Sequence, residues 1–335
     1  MVGKPGMSFL HQQIRRTIRR HALLPPGARV VVGLSGGSDS IALTRLLLEL
    51  AEHGGFAVAG VAHLNHGLRP SAGRDEGFCR EFARRVSLPI IVEAADVRAF
   101  GAAHRLSLED AARRVRYSFL ERAASALGGD RIAVGHTQDD QAETLLLKLI
   151  RGAGLTGLAG IYPRRDSVIR PLLDVSRAEL RGYLGAAGET WIDDESNADV
   201  GNPRNRIRHN VIPELNRAAG APTSPAIARA AALAREDADW LDELAREQMT
   251  VAAAPADEGP ALDAQVLAAM PRPLLRRVLL ETLRQHGGGR EIGLEHVESV
   301  LALLGGLEGG VDLPGCRMEL RRGKLVVLQQ AVPVR

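Results

Sequence analysis

Cysteine is nearly absent from this chain: its 335 residues contain two, Cys79 and Cys316. They lie far apart and in no C-x-x-C arrangement, which excludes a disulfide framework and a cysteine-ligated metal cluster and fits a reducing cytoplasm. Long apolar runs are missing too. Met1 to Arg20 has no apolar core of the kind a signal peptide carries, and no stretch is long enough to span a bilayer, so a cytoplasmic protein without a membrane partner is expected. Lysine is scarce: among 43 basic residues arginine vastly outnumbers it. Arginine grips phosphate through two parallel hydrogen bonds. Its clusters at Arg15-Arg16, Arg19-Arg20, Arg164-Arg165 and Arg204/Arg206/Arg208, with a pI of about 9.2, suit a polyanion such as RNA and suit a solvated basic face equally well.

The composition is 45% hydrophobic and 25% charged, ordinary for a soluble chain with room for two or three domains. Arg29 to Ser40 reads R-V-V-V-G-L-S-G-G-S-D-S, a β-branched run, then a Gly/Ser turn, and Ile41 onward carries apolar residues at helical spacing. Strand, tight loop and helix start together present unpaired N–H groups to an anion. The loop is not the mononucleotide P-loop, which needs a Lys where Asp39 stands, and it is not G-x-G-x-x-G.

Along the chain, Ser8 to Arg20 reads as a basic amphipathic helix ended by Leu24-Pro25-Pro26-Gly27. Phe56 to His63, Pro89 to Glu93 and Arg131 to Gly135 read as strands, and Ala72 to Val86, Leu106 to Leu127 (Ser107 as cap) and Asp139 to Arg151 as helices. That alternation predicts an α/β, doubly wound parallel sheet whose ligands gather at the carboxyl ends of its strands. Val168 to Leu173 is a last strand bent at Pro171, and Ser176 to Leu184 a helix. The expected divisions are a basic N-terminal helix over 1–28, the α/β domain over 29–218, a linker with a long helix over 219–258, and a small α+β domain over 259–335. In that last domain helices are expected at Ala261 to Met270, Pro271 to His286 and Leu294 to Leu304, then a small antiparallel sheet from Val311 to Leu328.

The polar residues concentrate in the loops after the predicted strands: His63-Leu-Asn-His-Gly-Leu-Arg69 and Gly135-His-Thr-Gln-Asp-Asp-Gln-Ala-Glu-Thr144. Singly, His63, His66 and His136 are structural hydrogen-bonders more often than catalysts. Asp140 and Glu143, three apart at a helix start, share a face; first-turn acids also favour the helix dipole without any chemistry.

Taken in order, S-G-G-S-D-S, H-L-N-H-G-L-R, the Arg113-Arg-Val-Arg-Tyr117 helix, G-H-T-Q-D-D-Q-A-E-T, R-G-A-G-L-T-G-L, R-P-L-L and W-I-D-D-E-S-N with R-N-R-I-R resemble the tRNA(Ile)-lysidine synthetases of the PP-loop ATP pyrophosphatase superfamily. The match runs from Val30 to Leu215, and D-L-P-G with its flanking strands is similar to that family's small C-terminal domain. The resemblance implies an ATP-dependent ligase joining free L-lysine to C2 of the wobble cytidine of tRNA(Ile) with anticodon CAU, through an adenylate, releasing pyrophosphate and AMP. It implies ATP and Mg2+ as cofactors, with Ser35, Gly36, Gly37, Ser38, Asp39, Ser40, His63, Gly135 and His136 at the nucleotide and Asp39 on the metal. Asp140 and Glu143 match the lysine-binding positions; which of them takes the proton stays open. Arg116 matches an arginine at ATP or the developing charge, a surface arginine being the alternative, and Arg208 a second one near the site. Arg204 and Arg206 are expected on RNA phosphate. The cytidine must leave its stack or already be splayed out. DNA is not an expected partner, and a homodimer is left open. The rivals are a PP-loop tRNA thiolase, for which the cysteines are lacking, a small-metabolite amidotransferase or synthetase, and a non-catalytic RNA-binding module.

Overall fold

A computed structural model describes residues 8–66, 72–193, 201–256, 259–286, 292–306 and 309–329. The chain forms two compact units, Met1–Leu233 and Ala234–Arg335. The boundary falls inside one long helix, Ser224–Ala252.

In the first unit the elements run α1 (Phe9–Arg20), β1 (Arg29–Gly33), α2 (Ser38–Gly54), β2 (Ala57–Asn65), α3 (Ala72–Arg85), β3 (Ile90–Ala94), α4 (Val97–His104) and α5 (Leu108–Ala126). They continue through β4 (Arg131–Ala133), α6 (Gln138–Ile150), α7 (Leu155–Leu158), β5 (Arg164–Arg165), β6 (Val168–Ile169), α8 (Arg177–Ala186), α9 (Pro203–Arg206), a π turn over Ile207–Val211, α10 (Ile212–Ala219) and the start of α11 (Ser224–Ala252). The strands form one six-stranded sheet in the order β3-β2-β1-β4-β6-β5. All pairings are parallel except β5 with β6. Val30, Val31 and Val32 are fully buried because both faces of β1 are covered, as a central parallel strand requires.

One face packs Ile41, Leu43, Leu46 and Leu47 of α2 with Ile14 and Ile18 of α1 and Leu180 and Leu184 of α8. The other packs Phe119, Leu120, Ala123 and Ala124 of α5. The doubly wound expectation is met, with an antiparallel edge strand added. Ser107 caps α5 as predicted, its hydroxyl accepting from Asp110 N at 3.1 Å. Helix α4 lay outside the sequence reading. The strand predicted to run from Val168 to Leu173 stops at Ile169, because Pro171 has no N–H to continue the ladder and holds Arg170 away from helical geometry.

The strand order reverses between β1 and β4, with β2 and β3 on one side and β6 and β5 on the other. Loops leaving two such strands part and open a crevice at their carboxyl ends.

The second unit holds β7 (Ala253–Ala254), β8 (Ala261–Asp263), α12 (Ala264–Ala268), α13 (Arg272–His286), α14 (Leu294–Leu304), β9 (Gly309–Leu313), β10 (Cys316–Arg321) and β11 (Lys324–Gln329). Its antiparallel sheet has the order β7-β8-β11-β10-β9. Leu279 and Leu283 of α13 and Val300 of α14 are buried with Met318 and Leu325 of the sheet. The helix expected over Ala261 to Met270 is corrected. Ala261–Asp263 is a strand paired with β11, and Asp263 then turns the chain by accepting from Gln265 N at 2.8 Å and Val266 N at 3.1 Å. An aspartate that satisfies two orphan N–H groups starts a helix at that point and not before it.

Candidate active site

Three helix N-termini converge at the switch point. The first is the loop after β1. Gly36 has φ +86°, and a Cβ there would lie 2.8 Å from Ile192 Cδ1; its carbonyl accepts from Ile192 N at 2.9 Å. The left-handed backbone is what calls for glycine here, since the Ile192 methyl could shift but the φ could not. Ser40 Oγ donates to the Gly37 carbonyl at 3.0 Å and accepts from Ser35 N at 3.2 Å, closing the loop on itself. His63, buried at the end of β2, lies 2.9 Å through Nδ1 from the Leu34 carbonyl, an acceptor only, so Nδ1 is the donor. It braces the strand end and directs its other nitrogen away from that contact.

The second N-terminus follows β4. Gly135 packs so tightly that a Cβ would meet the Asp39 carbonyl carbon at 3.1 Å and its oxygen at 3.2 Å. Thr137 caps α6 in a capping box with Asp140. Asp140 Oδ2 accepts from Thr137 N at 2.8 Å and Thr137 Oγ1 at 3.0 Å. The capping role of a first-turn acid is therefore real, and it occupies one carboxylate oxygen. The other faces arginine.

The third is the start of α8, fixed by a Ser176–Glu179 capping box. Arg177 N donates to Asp139 Oδ2 at 2.7 Å. Its guanidinium reaches Asp39 Oδ2 through Nε at 3.1 Å, Asp140 Oδ1 through Nη2 at 3.1 Å, and Glu143 Oε1 through Nη1 at 3.7 Å. One side chain thus ties the loop after β1 to the acids of α6.

Two more arginines complete the cluster from α9 and the π turn. Arg204 Nε donates to Glu143 Oε2 at 2.7 Å and Arg204 Nη2 to Asp140 Oδ1 at 3.2 Å. Arg208 Nε donates to Glu143 Oε1 at 2.6 Å. The Glu143 side chain has no exposed surface. Arg206, two residues from each, turns away to the Gly201 carbonyl at 2.9 Å.

A cavity of about 720 Å³ opens over these residues, lined by Ser35, Gly37, Ser38, Asp39, Ser40, His63, Arg116, Gly135, His136, Asp140, Arg177, Arg204 and Arg208 among others. Eleven of the thirteen residues expected at the site from the sequence stand in that wall. Gly36 is turned under Ile192 and does not, and Glu143 lies behind Asp140, reached through its arginines. Two participants were missed. Arg204, expected on RNA phosphate with Arg206, is committed to the carboxylates; its i,i+4 relation to Arg208, which Arg206 lacks, was the signal available. Arg177 had no local signal beyond standing next to a cap.

Burial raises the Asp39 carboxyl above its ordinary value even against Arg177. Burial opposes the Asp140 carboxylate as well, but Arg177 and Arg204 outweigh it and hold the group low. Burial pushes His136 down to about 3, so its imidazole is neutral at physiological pH, and its Nδ1 is buried without a partner. Among the described residues no group of three or more His, Cys, Asp or Glu could hold a metal alone. Asp39 fits a magnesium ion shared with phosphate oxygens, the usual arrangement for that ion, and not an all-protein cage. Glycine, hydroxyl and N-terminal N–H groups beside it fit a triphosphate. Asp194, Glu195, Ser196 and Asn197 of the W-I-D-D-E-S-N motif, and Gly67, Leu68 and Arg69, lie outside the described residues.

The fold and this loop place the chain in the PP-loop class: the PP-loop domain family matches residues 10–215. The TilS substrate binding domain matches residues 262–326. Curated relatives include a tRNA(Ile)-lysidine synthase of Symbiobacterium thermophilum, 39% identical over 94% of this chain and 68% of its own length. Others are those of Geobacter sulfurreducens, 38% identical over 90% of this chain and 65% of its own length, and of Leifsonia xyli, 37% identical over 90% of each. The chain belongs to the tRNA(Ile)-lysidine synthase family. It spans about two thirds of the length of the first two relatives. Among solved structures, the U34-tRNA thiolase NcsA from Methanococcus maripaludis with its [4Fe-4S] cluster has a TM-score of 0.56 at 18% identity, covering 68% of this chain and 80% of that one. That likeness concerns the fold.

Proposed function

We propose that the protein ligates free L-lysine to C2 of the wobble cytidine of a tRNA(Ile) with anticodon CAU, using ATP. The observation that carries this reading is that one cavity joins an anion-binding helix start, Ser35 to Ser40, to a cluster of carboxylates and guanidiniums. The first half suits a triphosphate. The second suits an amino-acid zwitterion, since carboxylates take ammonium groups and guanidiniums take a carboxylate.

In this reading Gly37, Ser38 and the N–H groups at the start of α2 hold phosphate oxygens, His63 and Gly135 keep the two loops in register, and Arg116 and His136 face the nucleotide. Asp39 is the residue that would hold a magnesium ion beside the phosphates, and the ion would offset the triphosphate charge. The cytosine oxygen at C2 is adenylated and pyrophosphate leaves. The ε-amine then forms the C2–N bond as the C2–O bond breaks, and AMP departs with the electron pair. Lysine arrives as an ammonium ion, so a proton must leave it first. Asp140 lines the cavity and is the acid placed to orient that amine and to receive its proton, held low by Arg177 and Arg204, with Glu143 behind it tying the same arginines in place. The second unit contacts the tRNA body, and the enzyme works in the cytoplasm; among the described residues no helix is long and apolar enough to cross a membrane.

A thiolase reading is disfavoured by the thiols. Cys79 is fully buried, and burial pushes it up to about 12, which suits neither persulfide relay nor cluster ligation. One assay separates the readings: unmodified tRNA(Ile) with a CAU anticodon, ATP, Mg2+ and labelled lysine. Lysine incorporation with AMP release is expected; the absence of both would overturn the proposal.

A further inference from the structure

The R-P-L-L motif has no part in the chemistry above, yet its arginine is among the most unusual residues in the first unit. Arg170 is only 4% exposed. It makes no ion pair among the described residues. Nη1 donates to the Tyr162 carbonyl at 2.7 Å and Nη2 to the Tyr117 hydroxyl at 3.4 Å, while Nε is buried without a partner. A buried cation with only neutral acceptors is costly to fold, and such groups persist where something else answers the charge.

Tyr117 lies between that cation and the cavity. It lines the cavity beside Arg116, and the Arg113 guanidinium sits 5.0 Å from its ring centroid. A phenol oxygen that accepts from Arg170 has its own proton left to donate, and no described residue accepts it. A donor backed by a cation is a stronger donor, because hydrogen bonds in a chain polarise one another. The two walls of the cavity differ in charge for this reason. Arg177, Arg204 and Arg208 are answered by Asp39, Asp140 and Glu143, whereas Arg116, which lines the cavity beside Tyr117, and Arg170 behind Tyr117 make no ion pair among the described residues. Among the described residues this leaves positive charge facing an anion-binding loop, an arrangement that favours a phosphate-bearing ligand.

We infer that Tyr117 donates its hydroxyl hydrogen bond to a phosphate oxygen of bound ATP, and that Arg170 is the positioning residue that orients and polarises that hydroxyl from behind. Arg116 adds the direct charge. The inference rests on the reading of this cavity as an ATP site, and gives a role to two residues that the ligation chemistry does not need for lysine.

The test is equilibrium binding of ATP with Mg2+ by calorimetry to the full chain and to Y117F, R170M, R170K and the double variant Y117F/R170M. Y117F keeps the ring and removes only the hydroxyl, so its melting temperature should match the parent while its dissociation constant for ATP rises about tenfold, the range for a hydrogen bond to a charged group. R170M should show a similar loss, and the double variant no more than either alone, because both remove the same bond. R170K should recover part of it. In turnover, KM for ATP should rise in Y117F with KM for lysine unchanged, a split that general loosening of the fold would not produce. Parental ATP affinity in Y117F, or losses that multiply in the double variant, would overturn the inference. Should R170M not fold, Y117F against R170K carries the comparison. Tyr117-dependent ATP binding in a parent protein that incorporates no lysine would uphold this inference and remove the ligase reading instead.

Discussion

Replacing Glu143 by alanine tests whether the carboxylate and guanidinium cluster holds the first unit together as well as serving chemistry. The Glu143 side chain has no exposed surface and accepts from Arg204 Nε at 2.7 Å and Arg208 Nε at 2.6 Å, with Arg177 Nη1 at 3.7 Å. Removing one partner from a buried ion pair costs about 3–5 kcal/mol, because the other charge stays buried and unanswered. Here the three guanidiniums keep Asp140 and retain some water, their side chains being 19%, 32% and 22% exposed for Arg177, Arg204 and Arg208. The low end, about 3 kcal/mol, is therefore expected. For a domain of 150–250 residues each kcal/mol moves the melting temperature by about 2–4 °C, giving a drop of roughly 6–12 °C. Scanning calorimetry reads it, with the transition of the first unit marked as the one that ATP shifts upward. Glu143→Gln keeps an acceptor but loses the charge, and should fall between. Arg204→Ala added to Glu143→Ala should cost less than the sum of the two, since they share one interaction. A Glu143→Ala transition within about 2 °C of the parent would refute the reasoning, for it would mean that the arginines rehydrate without penalty.

Other consequences follow from the same geometry. Gly135→Ala puts a Cβ 3.1 Å from the Asp39 carbonyl carbon, and backbone cannot step aside as a flexible side chain would. KM for ATP in AMP release should rise on the order of tenfold and the melting temperature should fall below the parent's; a KM within twofold of the parent would show that the loop yields. The two acids should respond to pH with opposite sign. Burial raises Asp39 above 3.8 in the folded chain, so this group subtracts stability as pH rises through that window, and Asp39→Asn should melt no lower than the parent at pH 7 while losing turnover. Asp140 is held below 3.8, so its contribution is complete above 3.8 and lost as pH falls through the folded value; Asp140→Asn should melt lower at pH 7, with the gap closing in acid. Melting temperatures of both variants against pH check this, and a fall of several degrees for Asp39→Asn at pH 7 would contradict it.

Local signals made much of this legible beforehand. Three consecutive valines before S-G-G-S-D-S are a buried strand feeding a helix start whatever surrounds them, because β-branched bulk, glycine freedom and unpaired N–H groups act within a few residues. Ser107, Thr137 and Ser176 sit where their hydroxyls meet the orphan N–H groups of α5, α6 and α8, which is also short-range chemistry. Where a distant partner competes, local spacing misleads: Ala261 to Met270 carries helical spacing throughout, yet pairing with β11 claims its first three residues.

The cluster itself could not be read so. Arg177 and Asp39 are 138 positions apart, and nothing in the residues around Arg177 distinguishes it from a surface arginine one step past a cap. Its partners are set by the reversal of strand order between β1 and β4, which brings the starts of α2 and α6 together, and by the packing of α8 on α2. Arg170 shows the same division. Along the chain it reads as a strand end before a proline, and only its burial behind Tyr117 makes it a cation with no ion pair among the described residues. The sequence alone determined that an anion-binding loop and a pair of acids exist, because those depend on neighbours along the chain. Which arginines answer those acids, and which stand without an acid among the described residues, was decided by the tertiary fold, because charges are compensated by whatever lies within a few ångströms and not by what lies next in sequence.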